Sequence, residues 1–188
     1  MAAGAVRHSA FAYNWGTTAD ERAGAFPCDG LLTGASLTLF RAVDVAAPAH
    51  AVFRWLCQLR AAPYSYDWLD NGGRRSPRTL TPGLEALAVG QQVMSIFTLV
   101  AFEPDRHLTI LLTARRGTRL FGEVAGSYCV LPRGAGTCRL LVKLVARQPR
   151  TVYGWLLRRI LPWGDWFMMR KQLLTLKKLA EATAGPAR

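Results

Sequence analysis

PWGDWFMMRKQLLTLKKLAEAT, residues Pro162–Thr183, is the stretch on which the fold turns. Pro162 fixes φ and suits the first turn of a helix, where its missing N–H leaves no partner unsatisfied. No Pro or Gly interrupts the run from Asp165 to Thr183. Trp166, Met169, Leu173, Leu176 and Ala180 recur at spacings of three and four, which makes one face of a helix about 30 Å long. Phe167, Met168 and Leu174 widen that face. Lys177 and Lys178 fall late enough to suit the negative end of the helix dipole. So long and apolar a helix needs a large partner surface.

The residues before it supply that surface as strands. Ser36–Val45, SLTLFRAVDV, alternates in part, with Leu37, Leu39, Val43 and Val45 on one side. Arg41 falls on that same apolar side and breaks the pattern. Pro48 opens a helix with Ala51, Val52, Trp55, Leu56 and Leu59 on one face. Pro63–Asn71, PYSYDWLDN, reads as a further helical turn or two, ended by Gly72–Gly73. Arg74–Thr81 is expected to form a short edge strand limited by Pro77. Gln92–Phe102, His107–Thr113 and Leu120–Leu131 read as strands. Gly122 and Gly126 suggest a bend in the last of them. Thr137–Arg147 alternates most cleanly, with Cys138, Leu140, Val142 and Leu144 opposite Arg139, Lys143 and Arg147. Thr151–Leu161 is expected as a separate lead-in helix before Pro162. The order predicts an α+β fold, its long C-terminal helix lying across a curved antiparallel sheet. Residues 1–34 read as an irregular arm with one short helix at Thr18–Ala23, and residues 35–184 as the folded domain. The arm's position is open: capping a cavity, packing behind the sheet, or pairing with another chain.

Composition fits a globular chain, with 188 residues, 51% hydrophobic and 19% charged. No apolar run is long enough to span a bilayer, and Arg7 and His8 lead into no signal-peptide core, so the expectation is cytoplasmic. Cys28, Cys57, Cys129 and Cys138 form no CxxC pair, which favours buried free thiols over a zinc site. The net charge of +12 comes from 24 Lys and Arg against 12 Asp and Glu. Because the arginines are spread along the chain, a solvated basic surface is the simplest account.

These elements resemble the START/Bet v 1-like (SRPBCC) superfamily, in its bacterial polyketide cyclase/dehydrase-like branch. The resemblance runs from Leu37 to Ala180. It rests on RAVDVAAPAHAVFRWL (41–56), YSYDWLDNGGRRSPR (64–78), AVGQQVM (88–94) and the C-terminal helix. WGTTADERAGAFPCDGLL (15–32) resembles an extension found in part of that branch. The resemblance implies a helix-grip fold of about seven strands with two short helices after the first strand. It also implies a cavity between the sheet and the long helix. The superfamily shares no universal catalytic residue, so none is carried over.

No nucleotide-binding loop, metal-ligand pattern or Ser–His–acid grouping appears at sequence level, and no metal or cofactor is expected. The densest polar and aromatic cluster is Tyr64, Tyr66, Asp67, Trp68, Asp70 and Asn71. As a pocket wall, its rings would hold an apolar body and Asp67 or Asn71 would orient a hydroxyl or carbonyl. The plainer account is a capped short helix whose acids pair with Arg74, Arg75 or Arg78. Met94, Phe97, Trp166 and Phe167 are candidate cavity lining, although such positions are commonly plain core. Arg170 is a candidate partner for a ligand carboxylate or for Glu123, with extension into solvent as the simpler outcome. The expected function is non-catalytic binding of a hydrophobic small molecule or lipid, as carrier or sensor. The alternative is an aromatase/cyclase-like enzyme using the same cavity, with Tyr66 and Asp67 assisting proton transfer. An anionic membrane surface is a further candidate partner through Thr151–Trp166, where core packing with solvated arginines is the simpler account. Nucleic acid is not expected, because no recognition module appears. The sequence assigns no oligomeric state.

Overall fold

The strand Thr137–Arg147 follows from its alternating apolar and polar side chains, and the helices Ala49–Cys57 and Val152–Ala184 from apolar residues recurring every three or four. The computed structural model describes residues 11–185. In chain order the elements are α1 (Ala19–Ala23), β1 (Leu37–Val45), α2 (Ala49–Cys57), α3 (Asp67–Asp70), β2 (Gln92–Val93), β3 (Phe97–Glu103), β4 (His107–Leu112), α4 (Arg115–Phe121), β5 (Glu123–Gly134), β6 (Thr137–Arg147) and α5 (Val152–Ala184). The strands make one six-stranded sheet in the order β1-β6-β5-β4-β3-β2, and every pairing is antiparallel. This is the α+β, helix-grip arrangement. Val43 and Val45 of β1, Leu140 and Val142 of β6, Tyr128 and Val130 of β5 and Leu108 of β4 line one face. On that face they meet Trp55 and Leu56 of α2 and Met169, Leu173, Leu176 and Ala180 of α5.

Local outcomes differ from expectation in four places. Arg74–Thr81 is no strand. Pro77 offers no N–H, and the Ser76 and Thr81 amides are bonded to the side chains of Asp67 and Gln58. Gln92–Phe102 is two strands, because Met94 and Ser95 take positive φ and reverse the chain. The start of Leu120–Leu131 belongs to α4, and Gly122, at φ +79, turns the chain into β5. The lead-in helix and the C-terminal helix are one continuous element, α5, with Pro162 inside it.

An interior proline deprives the carbonyl four residues earlier of its helical partner. That carbonyl belongs to Arg158, and the Tyr13 hydroxyl donates to it at 3.4 Å. The Pro162 carbonyl itself accepts from Arg41 at 3.2 Å. Tyr13 thus satisfies the helix where its own ladder is interrupted, and Arg41 holds the proline beside it.

The arm packs behind the sheet. Residues Asn14 and Trp15 run beside the free edge of β1, bridging to Phe40 and Arg41. The chain then crosses to the outer face. There Phe26, Cys28 and Leu32 cover Phe40, Ala42, Ala125, Leu141 and Val145. The expected short helix is α1, with Thr18 as N-cap in a reciprocal capping box with Glu21. Glu21 also accepts from Arg139 at 2.8 Å, and Asp29 pairs with Lys143, whose ammonium lies 4.9 Å from the Phe26 ring centre. The basic residues of the outer face thus anchor the arm.

Gly16 sits where the arm passes closest to β1. Its φ is +78, and a Cβ there would collide with the Ala42 carbonyl. Gly16→Ala is expected to destabilise the protein by about 1–3 kcal/mol, measured by urea unfolding, because it combines backbone strain with a clash.

Candidate functional site

β1, β6 and β5 place Arg41, Val142 and Tyr128 in one row across the inner face, since Val142 is in register with both of the others. The helix α5 meets this row with Asp165, Met169 and Gln172, spaced so that all three share one face. Arg41 and Asp165 form an ion pair at 2.7 Å, with side chains 1% and 9% exposed. The same guanidinium donates to the carbonyls of Tyr13, Phe40 and Pro162. The Tyr128 hydroxyl donates to Gln172 Oε1 at 2.7 Å, and Gln172 Nε2 donates to the Pro63 carbonyl at 2.7 Å. Gln172 Nε2 also lies 3.2 Å from Met94 Sδ.

Burial controls the protonation of this row. It pushes the Asp165 carboxyl up to about 6, against the opposing pull of the Arg41 guanidinium. Burial also lowers Arg41 from its ordinary value, with Asp165 opposing the shift. The Tyr128 hydroxyl is raised, first by burial and then by the Asp165 charge, so it remains a donor. Two further buried polar atoms, Tyr64 Oη and Trp166 Nε1, have no hydrogen-bond partner among the described residues. Buried polar groups in folded proteins are almost always satisfied, so such atoms point to a ligand or a water. Tyr64, whose hydroxyl burial pushes up to about 12, follows Pro63 directly and has φ +57. Met94 has φ +49. Backbone strain of this kind costs about 1–3 kcal/mol and gathers at functional sites. Here Gln172 touches both strained segments.

The sequence candidates separate into three groups. Tyr64, Met94 and Phe97 belong to the interior or its rim, whereas Trp166 packs on Phe11 of the arm and on the exposed Trp163. Tyr66 and Phe167 meet at the surface, their rings stacked 4.3 Å apart and nearly parallel. Asp67, Trp68, Asn71 and Arg170 are engaged elsewhere. Asp67 accepts from the Ser76 amide at 2.9 Å and its hydroxyl at 2.5 Å. The Asn71 amide donates to the Arg74 carbonyl, and Trp68 is 72% exposed. Arg170 is exposed over the Trp15 ring, 5.9 Å from its centre, while Glu123 pairs with Arg147. The sequence reading missed Tyr128, Asp165 and Gln172. Asp165 was detectable in principle, as the one acid between Arg150 and Lys178, inside a strongly apolar run. Among the described residues, no group of three or more His, Cys, Asp or Glu side chains converges as a metal site requires.

No protein-family profile matches the chain, and no curated protein does. Solved structures do. A protein of Mesorhizobium loti superposes with a TM-score of 0.51 at 17% identity, covering 78% of this chain and 98% of its own. A protein of Thermobifida fusca gives 0.51 at 18% identity, covering 80% and 97%. The di-domain ARO/CYC StfQ from the steffimycin biosynthetic pathway gives 0.51 at 14% identity, covering 79% of this chain and 51% of StfQ. At these identities the likeness establishes the fold, and it is the helix-grip fold that the sequence resemblance implied.

Proposed function

We propose that the protein binds a hydrophobic small molecule or lipid between its sheet and α5, as a non-catalytic carrier or sensor. The observation that carries this is the set of buried polar atoms set in an apolar interior. Tyr64 Oη lacks a partner among the described residues, and Tyr128 and Gln172 are fixed beside Met94 and Met169. Apolar walls with a few placed polar groups are the usual make-up of a small-molecule site. Burial of the ligand's apolar surface, at about 25 cal/mol per Å², would drive binding. The fold shared with StfQ, an ARO/CYC of a biosynthetic pathway, is compatible with such a ligand.

One observation favours an enzyme of aromatase/cyclase type. Asp165 is buried, its carboxyl is pushed up to about 6, and Tyr128 lies close enough to feel its charge. A carboxyl poised near neutral pH is suited to proton transfer. In this reading Asp165 and Tyr128, rather than Asp67 and Tyr66, would handle protons.

Native mass spectrometry of the purified protein, followed by extraction under denaturing conditions, tests both readings. The expected result is a bound apolar molecule, returned unchanged after incubation with fresh protein. A change in its mass would favour the enzyme. A clean apo mass, with no uptake from lipid or polyketide extracts, would overturn the binding proposal. Tyr128→Phe removes one hydroxyl from the row and is expected to weaken uptake about tenfold, in line with the loss of one buried hydrogen bond.

A further inference from the structure

The first half of α5 leaves an apolar stripe uncovered by any described residue. Val152, Trp155, Leu156, Ile160, Trp163 and Phe167 share one side of the helix and are 85%, 52%, 47%, 56%, 46% and 46% exposed. At about 1.5 Å per residue the stripe runs roughly 22 Å. Neighbouring elements extend it. The Tyr66–Phe167 stack ties it to α3, whose Trp68 and Leu69 are 72% and 55% exposed. The Tyr153 hydroxyl donates to the Leu120 carbonyl at 2.6 Å, which brings in the exposed Leu120 at the end of α4.

On α5 and α4 the exposed charge around the stripe is positive, while the two acids of α3, Asp67 and Asp70, are taken up by Ser76 and Ser65. Arg150, Arg159, Arg170 and Lys171 are exposed along it, and Arg115, Arg116 and Arg119 are exposed on α4. The sole acid between residues 150 and 171 is Asp165, which is buried against Arg41. Arg159 lies over the Trp155 ring, 4.8 Å from its centre. Apolar side chains edged by Trp, Tyr and Arg match the depth profile of a lipid interface, where rings sit at headgroup level and cations meet anionic headgroups. A second copy of the chain would bring the same positive rim against this one, and the net charge of +12 opposes that. Among the described residues no helix is long and apolar enough to cross a membrane, so contact would be along the surface.

We infer that the first half of α5, with α3 and the end of α4, docks on the surface of an anionic lipid bilayer. The inference is independent of what the interior holds. The test is flotation with phosphatidylcholine vesicles, with and without phosphatidylglycerol. The protein is expected to float with the anionic vesicles, to be released by added salt, and to show blue-shifted tryptophan emission when bound. Trp155→Ser/Ile160→Ser/Trp163→Ser changes exposed positions and is expected to keep the fold by circular dichroism while weakening binding more than about tenfold. Arg150→Glu/Arg159→Glu is expected to remove the preference for anionic vesicles. Failure of the wild type to float at low salt overturns the inference. So does a folded triple-serine variant that floats like the wild type. A concentration-dependent dimer abolished by the serines, without flotation, overturns it in favour of a second copy.

Discussion

Replacing Arg41 with methionine is expected to lower the unfolding free energy by about 3–5 kcal/mol, and adding Asp165→Leu to restore part of that loss. The reason is asymmetry. Removing one partner leaves a carboxylate 9% exposed with its guanidinium gone. Removing both leaves no unpaired charge, and leucine and methionine fill the space, although the Tyr13 and Pro162 carbonyls still lose Arg41 as a donor. Urea titrations of the wild type, the two single variants and the double variant measure the coupling. A double variant no more stable than the weaker single variant would show that the pair is not coupled in the way described. The pH dependence has a defined sign. Asp165 titrates near 6 when folded, against an ordinary 3.8, so the folded state holds the proton more tightly. Its contribution to stability is therefore full below about 3.8 and falls as pH rises through about 6. The double variant is expected to lack that decline.

A chain that begins at residue 35 is expected to associate further than the full chain does. The arm covers Phe26's partners, Phe40, Leu141 and Val145, and lies along the free edge of β1. Truncation exposes an apolar face and an unpaired strand together, which is the combination that drives edge-to-edge association. It also strips Arg139 of Glu21 and leaves the Arg158 carbonyl without Tyr13. Light scattering after gel filtration would show oligomers or aggregates. A soluble species with the parent's oligomeric state and melting temperature would mean that the arm is dispensable to the fold.

The architecture was legible because patterning dictates it. The alternation in Thr137–Arg147 and the spacing of Met169, Leu173, Leu176 and Ala180 each describe a face that needs a partner. The arm's place was less legible, yet a signal existed. Leu141 and Val145 make β6 apolar on both faces, which a strand with one wet face has no reason to be. Arg139 and Lys143 read as solvent-facing because sequence periodicity does not show what covers a charge. The continuity of α5 was hidden for a similar reason. Pro162 stops a helix unless other groups satisfy the freed carbonyl, and here Tyr13 lies 145 positions away from it. The candidate site was half visible. Clustering drew attention to Tyr64–Asn71, whereas the buried polar row joins residues 41, 128, 165 and 172, which only the folded chain brings together. Arg41, standing among apolar neighbours, was the one member whose sequence context already set it apart.

The strap formed by Tyr13 and Trp15 has a consequence for the order of assembly. Its hydrogen bond to Arg158 and the Arg41–Asp165 pair both require the last helix to be present. During synthesis the arm leaves the ribosome first and has no complete docking site until nearly all of the chain has followed. Contacts this distant in sequence close late, because loop-closure entropy must be overcome before they form. The outer face of the sheet, with Phe40 and Leu141, is therefore expected to remain uncovered until β6 and α5 have been made. In that interval the nascent chain would be a natural client for a chaperone, and the strap would mark the moment of release.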